Sequence, residues 1–240
     1  MTCPDASLPR APRRSPARPL RIAAVLLCVT SLSYAGVRYI WGPEPSHTGA
    51  PAIAGHPAEE LCDECHLLLD ENNLPRPNLN LACGRLELLD VPAEYAPGQA
   101  YTMRVRLSCD STVASPDRDW GFELTAVRAA DGEGAGQFDA SGRTDVQVVT
   151  GFEPGWENRP YIEHREAGVQ AGAASPVEWP VTWIAPPAGA GKIYFFAAGN
   201  AGDGRYDTLG DYIFTVADST REPVVAARHW TWGALKQRFR

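Results

Sequence analysis

Over residues 101–107, Tyr101, Met103, Val105 and Leu107 alternate one for one with Thr102, Arg104 and Arg106. The same rhythm returns at 120–125, where Trp120, Phe122 and Leu124 alternate with Gly121, Glu123 and Thr125. It recurs at 177–183 in Val177, Trp179, Val181 and Trp183. Successive side chains of a strand point to opposite faces, so each segment reads as a strand covering one side of a core. Further strands are expected at residues 86–91, 145–150, 161–165, 193–198 and 212–216. The 22 Gly and 21 Pro are too many for a helical bundle and supply the turns between strands. About eight strands, with no amphipathic helix before residue 220, predict an all-β fold of two packed antiparallel sheets.

The net charge of −7 is unevenly spread. Residues 1–41 carry six basic groups and one acidic (+5), 42–220 carry 11 and 27 (−16), and 221–240 carry five and one (+4). An acidic middle repels phosphates, which excludes nucleic acid as the partner of the main domain. The first segment is Arg-rich (Arg10, Arg13, Arg14, Arg18, Arg21), and an uncharged run from 22 to 37 follows it. Two readings stand. A secretory signal would be cut after Ala35, whereas an uncleaved anchor would span 22–41 with Tyr39 and Trp41 at the far interface. The positive-inside rule leaves residues 1–21 in the cytoplasm and exports the rest, so the expected location is a bacterial inner membrane, single-pass, with the bulk in the periplasm. Residues 42–60 read as an extended tether, 61–82 as a cysteine-bearing segment, 83–217 as the β-sandwich domain, and 218–240 as a basic aromatic tail.

Cys62-Asp-Glu-Cys65-His66 matches the attachment pattern of c-type haem: two thiols add to the haem vinyl groups, and the next His becomes an axial ligand. His is five residues of 240, so a chance His after the second Cys is roughly a one-in-fifty event. The alternative is a structural disulfide between Cys62 and Cys65, or structural pairing of either with the other cysteines. Cys83 and Cys109 flank a hairpin centred near residue 96 and are expected to form a disulfide in an oxidising compartment. Leu67, Leu68 and Leu69 suit either an apolar wall for the macrocycle or the core.

The segment resembles bacterial Reeler-like domains of the choice-of-anchor type. The likeness runs through Thr48-Gly-Ala-Pro51, the CxxCH, Tyr95-Ala-Pro-Gly-Gln-Ala-Tyr101, Trp120-Gly-Phe-Glu-Leu-Thr-Ala126, Tyr161-Ile-Glu-His164, Trp183-Ile-Ala-Pro186, Ala197-Ala-Gly-Asn-Ala201 and Gly210-Asp-Tyr-Ile213. It implies an immunoglobulin-like β-sandwich that is exported and associated with a surface or membrane. This chain departs from the pattern between Leu67 and Cys83. The resembling domains carry a His in the Tyr-x-x-His setting, which makes His164 the candidate second iron ligand beside His66. Met103, His47 and His56 are the other possibilities. A bis-His iron has a lower potential than a His/Met one.

Other constellations carry less. The glycine-rich 198–204 stretch lacks the Lys-Ser/Thr ending of a phosphate cradle. Asp203, Asp207 and Asp211 recur every four residues and read as solvated turn acids rather than a Ca²⁺ loop. No nucleophile elbow or metalloprotease His pair is present, so no enzyme is expected. In the tail, Trp230, Trp232 and Phe239 alternate with cations and suit docking on a membrane surface or a partner groove. The expected function is a membrane-anchored mono-haem (haem c) electron carrier. Its partners would be subunits of a membrane-embedded respiratory or photosynthetic complex, and the bilayer through 22–41. The rival is a haem-free accessory subunit that stabilises such a complex.

Overall fold

The computed structural model describes residues 41–110, 118–205 and 208–223. Of the anchor expected at 22–41, all but Trp41 lies outside them, as do the tail aromatics Trp230, Trp232 and Phe239. Among the described residues no helix is long and apolar enough to cross a membrane.

Nine strands build two antiparallel sheets, and a two-residue pair, β1 (Leu68–Leu69) with β2 (Pro75–Arg76), stands apart. The remaining strands are β3 (Gly84–Leu89), β4 (Ala100–Cys109), β5 (Trp120–Arg128), β6 (Gln137–Asp139), β7 (Val146–Thr150), β8 (Pro160–His164), β9 (Val177–Ile184), β10 (Lys192–Ala201) and β11 (Tyr212–Arg221). One sheet runs β11-β10-β5-β8-β7 and the other β3-β4-β9-β6. All eight expected strands are present. β6 is too short for its alternation to show, and β11 continues to Arg221, past the expected domain end at 217.

The alternation does what the period requires. Met103, Val105 and Leu107 of β4 and Trp179, Val181 and Trp183 of β9 face Phe122 and Leu124 of β5, Phe195 of β10 and Phe214 of β11 in one core. Met103 is a core residue, not a ligand. Gly199 sits on this inner face, where an added Cβ would lie 3.1 Å from Leu86 and 3.2 Å from Leu107; its lack of a side chain lets the sheets close.

The outer face of the five-stranded sheet is where the structure departs from expectation. Polar alternates on β5 should be solvated, yet Glu123 and Thr125 are buried. Residues 44–61, a strap that takes in most of the 42–60 expected as a tether, cover them as an irregular hairpin. Gly49 N–H donates to Glu60 C=O (3.0 Å), Glu59 N–H to Ala50 C=O (2.9 Å), and Ile53 pairs with His56 at the turn. Ala50 packs on Val127 and Phe196, and Ser46, Thr48 and Glu59 are buried. A composition of Pro, Gly and small residues, which in isolation reads as a linker, is here what lets an irregular chain lie flat on a sheet.

The segment after Cys65 also has a place. Leu67 bridges Leu209 ahead of β11, Leu79 bridges Ile213, and the Asn80 side chain bonds Thr215, so residues 78–80 pair with the first part of β11, an edge strand. Leu68 enters the core.

Candidate functional site

Cys62–Glu64 form a single 3-10 turn, with Cys65 as its C-cap. The turn is closed by His66 N–H donating to Cys62 C=O at 2.9 Å. The two thiols differ in setting. Cys65 is exposed, whereas the Cys62 thiol lies under the strap and donates to His47 C=O (3.7 Å). Burial first, then the charges of Glu123, Asp63 and Cys65, push the Cys62 thiol well above its ordinary range.

His66 is fixed on the sheet by side chains from three segments. Its Nδ1–H donates to the Asp211 carboxylate, which is buried immediately before β11. A carboxylate only accepts, so this bond puts the ring proton on Nδ1 and the lone pair on Nε2, the arrangement an imidazole metal ligand requires. Asn200 Nδ2 stands 3.2 Å from the same Nδ1. Asn78 Nδ2 donates to the carbonyls of His66 (2.7 Å) and Asp211 (3.2 Å), tying the CxxCH turn to β11. Asp211 also accepts the Asp203 N–H at 3.1 Å. The sequence reading of Asp211 as a solvated acid is thus corrected; Asp207 lies outside the described residues. The every-fourth spacing carried no hint of His66, 145 positions away.

His164 ends β8, where its ring replaces a backbone partner of β5. Its Nδ1 lies 3.1 Å from Phe122 N and 3.2 Å from Phe122 O. With Nδ1 accepting the amide the proton sits on Nε2; with Nδ1–H donating to the carbonyl the lone pair sits there instead. The ring lies over Gly121, where an added Cβ would stand 2.6 Å from Cε1. Gly121 is paired directly with Asn200 on β10. The residue under His164 and the residue beside His66 are therefore cross-strand neighbours on one outer face. The two expected ligands, from distant parts of the chain, are brought to the same end of one sheet. Among the described residues no group of three or more His, Cys, Asp or Glu side chains is arranged to hold a bare metal ion.

Filling the space under the His164 ring should be costly. Gly121→Ala drives a methyl into the imidazole from a central strand that cannot shift, and is expected to lower stability by about 1–3 kcal/mol. Denaturant midpoints of the two proteins measure it.

His47 and His56 have other engagements. His47 Nε2 is 3.4 Å from Glu60 and its Nδ1 bonds Glu44 C=O at 2.8 Å, while His56 reaches Gly155 C=O and Glu133.

Beneath the strap lies a group of buried carboxylates that the alternation disguised as solvent-facing. Glu59 accepts from Arg159, Tyr161 and Thr48. Glu123 accepts the amides of Ser46 (3.2 Å) and His47 (2.9 Å). Glu163 accepts from Gln147 Nε2 at 2.6 Å. Burial, then the neighbouring Glu59 and Glu163, hold the Glu123 carboxyl well above the usual range, and burial pushes Glu163 up to about 8.

At the far end of β3, Cys83 and Cys109 are brought together as thiols, their sulfurs 3.7 Å apart. The Cys83 thiol is pushed up to about 11 by burial first and then by its neighbour. Oxidation should close a 27-residue loop, residues 83 to 109, and stabilise by about 3–4 kcal/mol in the chain-entropy account. Thermal unfolding with and without reductant tests this: the shift should vanish in the Cys83→Ser/Cys109→Ser protein.

No protein-family model matches the chain, and no curated protein matches it. Among solved structures, it is similar to the reeler domain of human F-spondin. One fragment shows 22% identity over 59% of this chain and 90% of that chain, with a TM-score of 0.36. A second shows 23% identity over 62% and 96%, with a TM-score of 0.36. It is also similar to AvmM, described as catalysing macrocyclization in alchivemycin A biosynthesis, with 14% identity over 69% of this chain and 100% of that chain and a TM-score of 0.36. The functional reading rests on the residues of this chain.

Proposed function

We propose that this chain is an exported, membrane-tethered carrier of one c-type haem. In this reading Cys62 and Cys65 hold the haem, His66 and His164 ligate its iron, and a Reeler-like sandwich faces the periplasm beside a respiratory or photosynthetic complex of a bacterial inner membrane. The carrying observation is the convergence of His66 and His164 on cross-strand neighbours Asn200 and Gly121. The haem would supply one-electron exchange; the chain's part is to hold its ligands. Asp211 orients His66 and increases its basicity through Nδ1–H. Asn78 keeps the turn on the sheet. Residues 22–41 would be the membrane anchor, and Trp230, Trp232 and Phe239 the contact with the partner or bilayer.

The burial of the Cys62 thiol against His47 C=O favours a second reading. There the CxxCH turn is a haem-free clip that fastens the strap, and the chain is an accessory subunit that stabilises its membrane partner. Full-length protein matured with a haem-attachment system separates the two. A Soret band and a mass raised by one haem, both lost in Cys62→Ala/Cys65→Ala, support the carrier. Unmodified mass in folded protein supports the clip.

A further inference from the structure

We propose that Arg118 anchors a binding site for a single carboxylate group, at the end of the sandwich where β5 and β11 begin and β4 ends. This inference stands apart from the haem reading and rests on none of its ligands.

Arg118 stands two residues before β5 and is 4% exposed. A guanidinium keeps its charge at every working pH, so this one is a permanent cation almost wholly out of water. Its Nε and Nη1 are buried without a hydrogen-bond partner. Two aromatic rings flank it, with the guanidinium carbon 5.6 Å from the Trp120 centroid and 5.8 Å from that of Tyr212. Trp120 and Tyr212 are buried in one row of the sheet, since Ala201 pairs with both. The Trp120 Nε1–H donates to Ala173 C=O at 3.1 Å, which holds the indole in place. Cation–π attraction offsets part of the cost of the buried charge, but a ring face is a weak acceptor and leaves the N–H groups without lone pairs.

The groups around Arg118 do not supply the missing acceptor. Its charge reaches the Cys83 thiol, but burial and then Cys109 push that thiol up to about 11, so it stays protonated and neutral. Asp110 accepts from Ser175 Oγ–H at 3.2 Å, and Asp211 accepts from His66 and from the Asp203 amide. A buried cation without a partner is strongly destabilising, and an anion brought to it removes that cost.

The setting selects the ligand. Residues 42–220 carry 11 basic and 27 acidic groups (−16), which disfavours a polyanion. The end of the core is apolar, so a doubly charged phosphate costs more to desolvate there than a monoanion. A flat carboxylate matches the plane of the guanidinium. Approach is from the end of the sandwich, where Cys83 is partly exposed. The carboxylate comes either from a small organic acid or from the C-terminus of a peptide.

Thermal unfolding of the full-length protein in sodium acetate, against sodium chloride at equal ionic strength, tests the site. A dissociation constant of about 10 mM gives an about tenfold shift of the folding equilibrium at about 100 mM acetate. A dipeptide with a free C-terminus, compared with its amide, separates the sources: a larger shift than acetate gives assigns a peptide, otherwise a small acid. Arg118→Met keeps a long side chain and removes the charge. It should abolish the acetate shift and leave the protein at least as stable in chloride, because an unpaired buried cation has become an apolar chain. Should that variant fail to fold, a nuclear Overhauser contact between acetate methyl protons and the Trp120 or Tyr212 ring in the parent protein reads the same site, and its absence counts against it. No acetate shift beyond chloride, a larger Arg118-dependent shift with phosphate than with acetate, or a shift retained in folded Arg118→Met would overturn the proposal.

Discussion

Replacing Arg159 with alanine should destabilise the domain by about 3–5 kcal/mol. Arg159 and Glu59 are a buried ion pair, 3% and 0% exposed at the side chain. Nη1 of Arg159 bonds Glu59 and Nη2 donates to Gly132 C=O at 2.7 Å. Glu59 in turn holds Tyr161 Oη–H and Thr48. Taking two charges out of water is costly, so the pair is a weak source of net stability; the large effect comes from breaking it. Without the guanidinium, Glu59 is a buried carboxylate with no cation, close enough to raise the Glu123 carboxyl further. Urea unfolding of the two proteins measures the loss. Replacing both partners with apolar residues of similar volume should recover most of the loss. If the single and double replacements behaved alike, the ion-pair account would be wrong.

Trp183→Ala is expected to cost about 3–5 kcal/mol by a different mechanism, a cavity. Trp183 is fully buried on β9, where it meets Tyr95 edge-on at a centroid distance of 5.6 Å and Phe195 at 5.0 Å. Its Nε1–H donates to Ala135 C=O at 2.9 Å. Gly136, in a left-handed conformation at φ 75°, lets the backbone approach the indole, so the ring also sets the path of the chain into β6. Truncation removes ring contacts across both sheets and leaves the Ala135 carbonyl without its donor. Trp183→Phe retains most of the volume and should recover much of the stability. This loss should be the same at pH 5 and pH 8, because the indole carries no ionisable group and Tyr95 beside it is held above its ordinary value of 10.0 by burial.

These two effects mark the boundary of what the sequence made legible. Trp183 announces itself by alternation with Val181 and Trp179, and the two-residue period assigns it to the core at once. Arg159 and Glu59 do not, because what covers β5 is a hairpin with no regular period, written in Pro, Gly, Ala and His. The alternation placed Glu123 on the outer side correctly but could not say that this side is buried, since burial of a second face depends on a segment more than 60 residues earlier. The same limit hid Asp211 and Asn200. A His-to-Asp hydrogen bond across 145 positions leaves no local trace, whereas the CxxCH spacing does. The hairpin reading did bring Cys83 beside Cys109, because register along β3 and β4 follows from turn length. β6, with three residues, is too short for any period to register.

The fold also explains why the cysteine segment is held firmly. It is placed by the strap on one side and, on the other, by Leu67 against Leu209 and by Asn78 and Leu79 at the start of β11. In the proposed carrier such a fixed turn would keep the ligand positions similar in the two oxidation states.

The central claim is that His66 and His164 share one iron. Electron paramagnetic resonance of the oxidised, full-length protein, matured with a haem-attachment system, addresses it directly. The account predicts a low-spin ferric signal from two imidazole ligands that turns high-spin in His164→Ala while the haem remains covalently attached. Folded protein without haem iron, or a signal that His164→Ala leaves unchanged, would contradict it.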